Sequence, residues 1–133
     1  MAAGGRKYDV AARRLGFQRP KGWETRAIWI HFGANIGAAG SKLSIQSADD
    51  YLRTLASEQL TASGQKPDLL AEKSVVPSGE TRDIHRAGGH YLTLVSSNTL
   101  FHLPQDRWPD SVDVPAITRI AAGMAQVVVA LTR

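Results

Sequence analysis

The side chains in this chain best suited to chemistry are its four histidines, His31, His85, His90 and His102. His85 and His90 flank the stretch Arg86-Ala87-Gly88-Gly89, with Arg82 just upstream. Histidine moves protons near neutral pH, and arginine holds the charge that develops on a phosphate. His85, His90 and Arg86 are therefore candidate catalytic residues for a small nuclease-like or phosphate-handling enzyme. The simpler account of the stretch is a polar turn shaped by its two glycines. His90 and His102 bracket an expected hairpin, and its register decides whether they meet. A two-residue loop pairs Thr93 with His102 and puts the histidines on opposite faces, whereas a three-residue loop pairs Leu92 with His102 and puts them on one face. If they meet with Glu80 or Asp83 nearby, zinc binding or acid–base work follows. The spacing, however, matches no metal signature, and no metal is expected.

A second candidate is the loop Gly33-Ala34-Asn35-Ile36-Gly37-Ala38-Ala39-Gly40-Ser41-Lys42. Backbone N–H groups left open at glycines cradle anions, so Gly37, Gly40, Ser41 and Lys42 form a candidate anion site. The order departs from the nucleotide-binding loop, because Ser41 separates Gly40 from Lys42. A mobile connection between two strands is the plainer reading. No Gly-x-Ser-x-Gly elbow occurs. Asp49 and Asp50 read as helix-start charges rather than a catalytic pair. No cofactor motif is present, and none is expected.

Charge is distributed unevenly. Through Arg26 there are seven basic residues and two acidic ones, a balance of +5, while the remaining 107 residues balance to −1. The formal charge of +4 thus resides in a basic N-terminal arm over residues 1–22. Arg13, Arg14, Arg19 and Lys21 are its candidate contacts to nucleic acid or a partner protein, and Phe17 and Trp23 stand close enough to stack on bases. Contact of this kind is independent of sequence and sensitive to salt. A solvated helix face accounts for the same residues.

The elements that must position these groups follow from periodicity. Residues 7–16 read as a short helix. Glu24 to Ala34 reads as a strand with two apolar faces, expected in the middle of a sheet, with Trp29 in the core. Leu43 and Ile45 mark a second strand. Ser47 is expected to cap a helix, with Asp50 completing the pair and Leu52, Leu55, Ala56 and Leu60 forming its stripe. Residues 67–76 are ambiguous between helical turn and strand, and residues 78–89 read as a loop or an irregular edge. His90 to Ser96 and Thr99 to Leu103 are expected to form a hairpin. Asp113 caps a last helix through about Gly123, with residues 124–132 open between helix and strand. The predicted fold class is α+β: a small single domain over residues 23–133, with a mostly antiparallel sheet and two or three packed helices.

The absence of cysteine excludes disulfides, thiolate metal sites and a cysteine nucleophile. The longest uninterrupted apolar run is Val127 to Leu131, well short of the ~18 residues a membrane helix needs, so no membrane partner is expected. No apolar stretch follows the first charges, and a cytoplasmic or virion-associated location is expected. Three functional readings fit. The leading one is a non-enzymatic binding or assembly protein: a homo-oligomer, or a subunit of a viral or nucleoprotein complex, that uses the arm to contact a neighbouring subunit or nucleic acid. The others are the small nuclease-like enzyme and a small-molecule-binding α+β domain.

Overall fold

A computed structural model describes residues 21–133. The expected helix over 7–16, and Arg13, Arg14, Phe17 and Arg19, lie outside the described residues. A 3-10 turn, Trp23–Thr25, leads into β1 (Ile28–Phe32), β2 (Lys42–Gln46), α1 (Asp50–Ala62), β3 (Leu69–Leu70), α2 (Thr81–Arg86), β4 (His90–Ser97) and α3 (Val114–Leu131). The strands form one four-stranded sheet in the order β1-β4-β2-β3. β1 runs parallel to β4, β4 antiparallel to β2, and β2 parallel to β3. The fold is a small single-domain α+β structure. Its sheet is mixed rather than mostly antiparallel, because α1 carries the chain from β2 to β3 in a crossover and β1 joins a strand far along the chain.

β4 lies inside the sheet, and its alternation explains both layers. Leu92 and Leu94 face the long helices and are fully buried, packed with Leu43 and Ile45 of β2, Leu60 of α1, and Ile120, Met124 and Val127 of α3. Tyr91 and Thr93 point to the other face, which carries α2. There the Thr93 hydroxyl donates to Thr81 at 3.0 Å, and Ile84 is buried. The strand covered on both sides is β4 rather than β1, with Tyr91, Leu92, Thr93 and Leu94 all buried. The expectation that residues 24–34 form the central strand is corrected. Among the described residues β1 pairs only with β4, and its Ile28 and Phe32 are exposed at 44% and 56%. Trp29 is half-buried; its indole N–H donates to the Glu24 carbonyl at 2.9 Å, and its ring meets Trp23 edge-on at 4.7 Å.

The expected hairpin is also corrected. Both edges of β4 are occupied, by β1 and β2, so a strand returning over residues 99–103 has no neighbour to pair with. The chain instead leaves β4 through successive turns. The Asn98 side chain accepts from Leu100 N at 2.8 Å, and His102 sits at a φ of 65°. His102 is therefore exposed on a turn and does not meet His90 across a ladder.

The helices keep most of their expected pattern. Leu52, Ala56 and Leu60 are buried, with Leu55 half-buried beside the core. The cap of α1 is Asp49 rather than Ser47, its side chain accepting from Leu52 N at 3.2 Å. Ser47 is drawn away because its hydroxyl donates to the Tyr91 carbonyl while accepting from Asp49 N. Asp113 caps α3, accepting from Ala116 N at 2.9 Å. α3 continues to Leu131 without a break. Gly123 marks the crossing of α3 over α1: a Cβ there would meet Ser63 Oγ at 2.9 Å, and Gln59 O and Leu60 Cα at 3.0 Å. Glycine thus brings the helices together and lets Val127 extend the buried stripe.

Candidate functional site

At the end of the sheet where β2 leaves and β4 enters, Ala48, Asp49, His85, Gly88, Gly89, His90 and Tyr91 enclose a cleft of about 200 Å³. Three elements supply its polar groups: the first turn of α1, the end of α2 and the start of β4. The His90 imidazole meets the Asp49 carboxylate, Nδ1 to Oδ2, at 3.1 Å. Asp49 engages its other oxygen, Oδ1, with the backbone N–H of Leu52, which fixes the orientation of the carboxylate. A carboxylate accepts only, so Nδ1 carries the proton and the lone pair of Nε2 is left for other work.

The second histidine is held differently. His85 Nδ1 lies 3.0 Å from the Tyr91 hydroxyl, and the two rings meet edge-on at 5.7 Å. Burial pushes the Tyr91 phenol above its ordinary range, while a backbone hydrogen bond at Ala48 pulls the other way. The phenol therefore stays protonated at neutral pH. It donates to Nδ1 of neutral His85 and accepts from Nδ1–H once that ring is charged. Both imidazoles are thus oriented through Nδ1 and present Nε2.

His85 and His90 are brought together in this cleft. Arg86 is exposed and does not line it. Glu80, expected near the hairpin, instead lies on the other histidine: its carboxylate meets His31 Nε2 at 3.0 Å. The partners that complete the cleft, Asp49 and Tyr91, were not legible as functional residues. Asp49 reads in the sequence as a helix-start charge, with Ser47 as the cap, and nothing in the sequence ties it to a histidine 41 residues on.

The glycine loop is pinned to the segment that enters α3. Ala39 N donates to Ser111 O at 2.9 Å, Asp113 N donates to Gly37 O at 2.8 Å, and Ala38 bridges Val112. Within the loop, Ala38 N and Ser41 N are bonded to Asn35 O and Ala38 O. Gly37, Gly40 and Ser41 line a smaller cleft of about 140 Å³ with Gln65, Ser96, Asp113 and Arg119, and Lys42 stands outside it. Arg119 Nε donates to Gln65 Oε1 at 3.1 Å. Of the arm contacts, Lys21 alone is described, and it is exposed.

The surface offers a further feature. α3 carries one charged residue in 18, Arg119, which is half-buried. Its inner stripe packs on the core, while Val114, Ile117, Ala121, Ala122, Ala125, Val128 and Val129 are exposed. This outward face has no charge along its length. By length and composition α3 is apolar enough to cross a membrane, with a mean hydropathy of 1.7. The loop before it adds exposed Phe101, Leu103 and Trp108.

Comparison with protein-family models, with curated proteins and with solved structures finds no match to this chain.

Proposed function

We propose that the protein is an assembly subunit that pairs with a second copy of itself through the outward face of α3. One observation carries this reading: a helix of 18 residues whose exposed side chains are valine, isoleucine, alanine, proline, threonine and one glutamine, with no charge. Soluble monomers keep contiguous apolar surface small, and a larger patch marks an interaction face. The centre of this face is alanine, at positions 121, 122 and 125, with larger residues at either end. Small central residues let a second helix approach to about 8–10 Å between axes. A two-fold pair of α3 helices places the same patch on both partners. The inner stripe of α3 already serves the core, which favours a protein partner over a bilayer. The charge of the basic residues through Arg26 suits an acidic neighbour, a subunit or nucleic acid, as in a nucleoprotein complex or virion.

Light scattering on a size-exclusion column tests the reading, comparing the full chain with Ala121→Glu and Val128→Glu. The expected result is an oligomer for the parent chain and a monomer of unchanged circular dichroism for each variant. A monomeric parent across the accessible concentration range refutes self-association, as does assembly that survives both charges. Flotation of the parent chain with lipid vesicles, lost in the same variants, would assign the face to a membrane instead.

A further inference from the structure

We propose that the cleft between α1, α2 and β4 is an acid–base site for cleaving single-stranded RNA, with His90 as the base and His85 as the acid. The proposal does not depend on how α3 associates. It rests on two imidazoles of different parentage facing one cavity, each anchored through Nδ1, one by the Asp49 carboxylate and one by the Tyr91 hydroxyl. Asp49 and Tyr91 are positioning residues: they hold the rings and set which nitrogen is presented. Gly88 and Gly89 form part of the wall without side chains, and a Cβ at Gly88 would meet nothing within 4 Å. A ligand backbone therefore has room to approach the histidines.

The chemistry narrows the substrate. Among the described residues, no group of three or more histidine, aspartate or glutamate side chains converges as a metal-binding set. The cleft's own groups supply proton transfer: His90 accepts one proton and His85 donates one. Proton transfer alone suits a phosphodiester that brings its own nucleophile, and the 2′-hydroxyl of RNA is held next to the phosphorus it attacks. The chain's positive charge is gathered in its N-terminal residues, which favours a polyanionic partner for the chain as a whole. On α2, exposed Arg82 and Arg86 add cations to the element that carries His85.

In the step, His90 Nε2 takes the proton of the 2′-hydroxyl as that oxygen bonds to phosphorus. The bond from phosphorus to the 5′ oxygen breaks, and the departing oxygen takes a proton from Nε2 of protonated His85. The products are a 2′,3′-cyclic phosphate and a free 5′-hydroxyl. His90 ends protonated and His85 neutral, and exchange with water resets both.

The test uses the full chain, a labelled single-stranded RNA and the same oligonucleotide with one 2′-deoxy position, all in the presence of a chelator. The expected result is cleavage leaving a cyclic phosphate, absent at the deoxy position. His85→Ala and His90→Ala should each slow the reaction by about 100-fold or more, the usual scale of a positioned acid or base. Circular dichroism and melting curves confirm that the variants fold, and the deoxy substrate tests the step on unaltered protein. Absence of cleavage by the parent chain overturns the proposal. So does a rate unchanged in both variants, equal cutting at the deoxy position, or abolition by the chelator.

Discussion

Replacing Gly123 with alanine tests the closest approach in the fold. By helix propensity alone the change should stabilise α3 by about 1 kcal/mol, since glycine is the poorest helix former after proline. Packing opposes it. The added Cβ would lie 2.9 Å from Ser63 Oγ and 3.0 Å from both Gln59 O and Leu60 Cα. Carbon contacts relax to about 3.5–4.0 Å, so the helices must separate by roughly half an ångström or more. Two of the three neighbouring atoms are backbone, so rotating a side chain cannot relieve the contact. Leu60 and Val127, fully buried on the two helices, would lose contact as the crossing opens. Inserting a carbon into a well-packed interface costs about 1–3 kcal/mol. The net expectation is a loss of up to about 2 kcal/mol, and of more with valine. For a domain of this size 1 kcal/mol corresponds to about 4 °C in Tm. Urea denaturation followed by circular dichroism reads it out, with a lower midpoint at unchanged slope. A Gly123→Ala variant more stable than the parent would refute the reasoning, because propensity would then outweigh a contact too loose to matter.

Two further outcomes are expected. A Cβ at Gly89 would lie 2.3 Å from the Glu24 carbonyl oxygen, which also receives the Trp29 indole N–H. Gly89→Ala should therefore displace the Trp23–Thr25 turn, cost at least the upper end of about 1–3 kcal/mol and alter tryptophan emission, and an unchanged emission spectrum and midpoint would count against it. Asp50 is held below its ordinary carboxylate range, first by a hydrogen bond from Lys73; desolvation opposes this, and the weaker attractions of the Lys73 and Arg53 charges add to the lowering. Its folded pKa is thus depressed, so the stabilisation is present above the unfolded value near 3.8 and is lost as pH falls through the folded value. Lys73→Met should raise the Asp50 midpoint in an NMR titration. Added salt should shrink the difference because the pair is exposed.

What the sequence revealed, and what it hid, follows from the range of each signal. The caps and stripes of α1 and α3 are local, and Asp113, Leu52, Ala56 and Leu60 occupy the roles their spacing implied. The cap of α1 moved two residues because the Ser47 hydroxyl has a better partner in the Tyr91 carbonyl, a contact 44 residues away. An apolar run shows that a strand has faces to cover but not which strands flank it, so β1 read as central although Ile28 and Phe32 are exposed. The arms expected at residues 90–96 and 99–103 have strand-like composition. Only the sheet order shows that β4 has no free edge for the second. His85 and His90 stood out because they bracket a glycine turn. Asp49 could not be assigned to them, since its pairing arises from the way α1 is seated beside the start of β4.

The position of β4 also sets an order of events for the newly made chain. Ile28 pairs with His90 and Phe32 with Leu94, a separation of 62 residues along the chain. β1 is thus made early and completed late, since its only described neighbour must be synthesised and docked first. Contacts so distant in sequence form slowly because a long loop must close before they yield any stabilisation. Meanwhile Ile28-Trp29-Ile30-His31-Phe32 is an unpaired, strand-prone apolar segment, the kind that recruits other chains. β2, α1 and β3 form a nearby parallel unit and are ready sooner. The last segment to join the sheet is therefore also the one that joins the basic N-terminal residues to the rest of the fold.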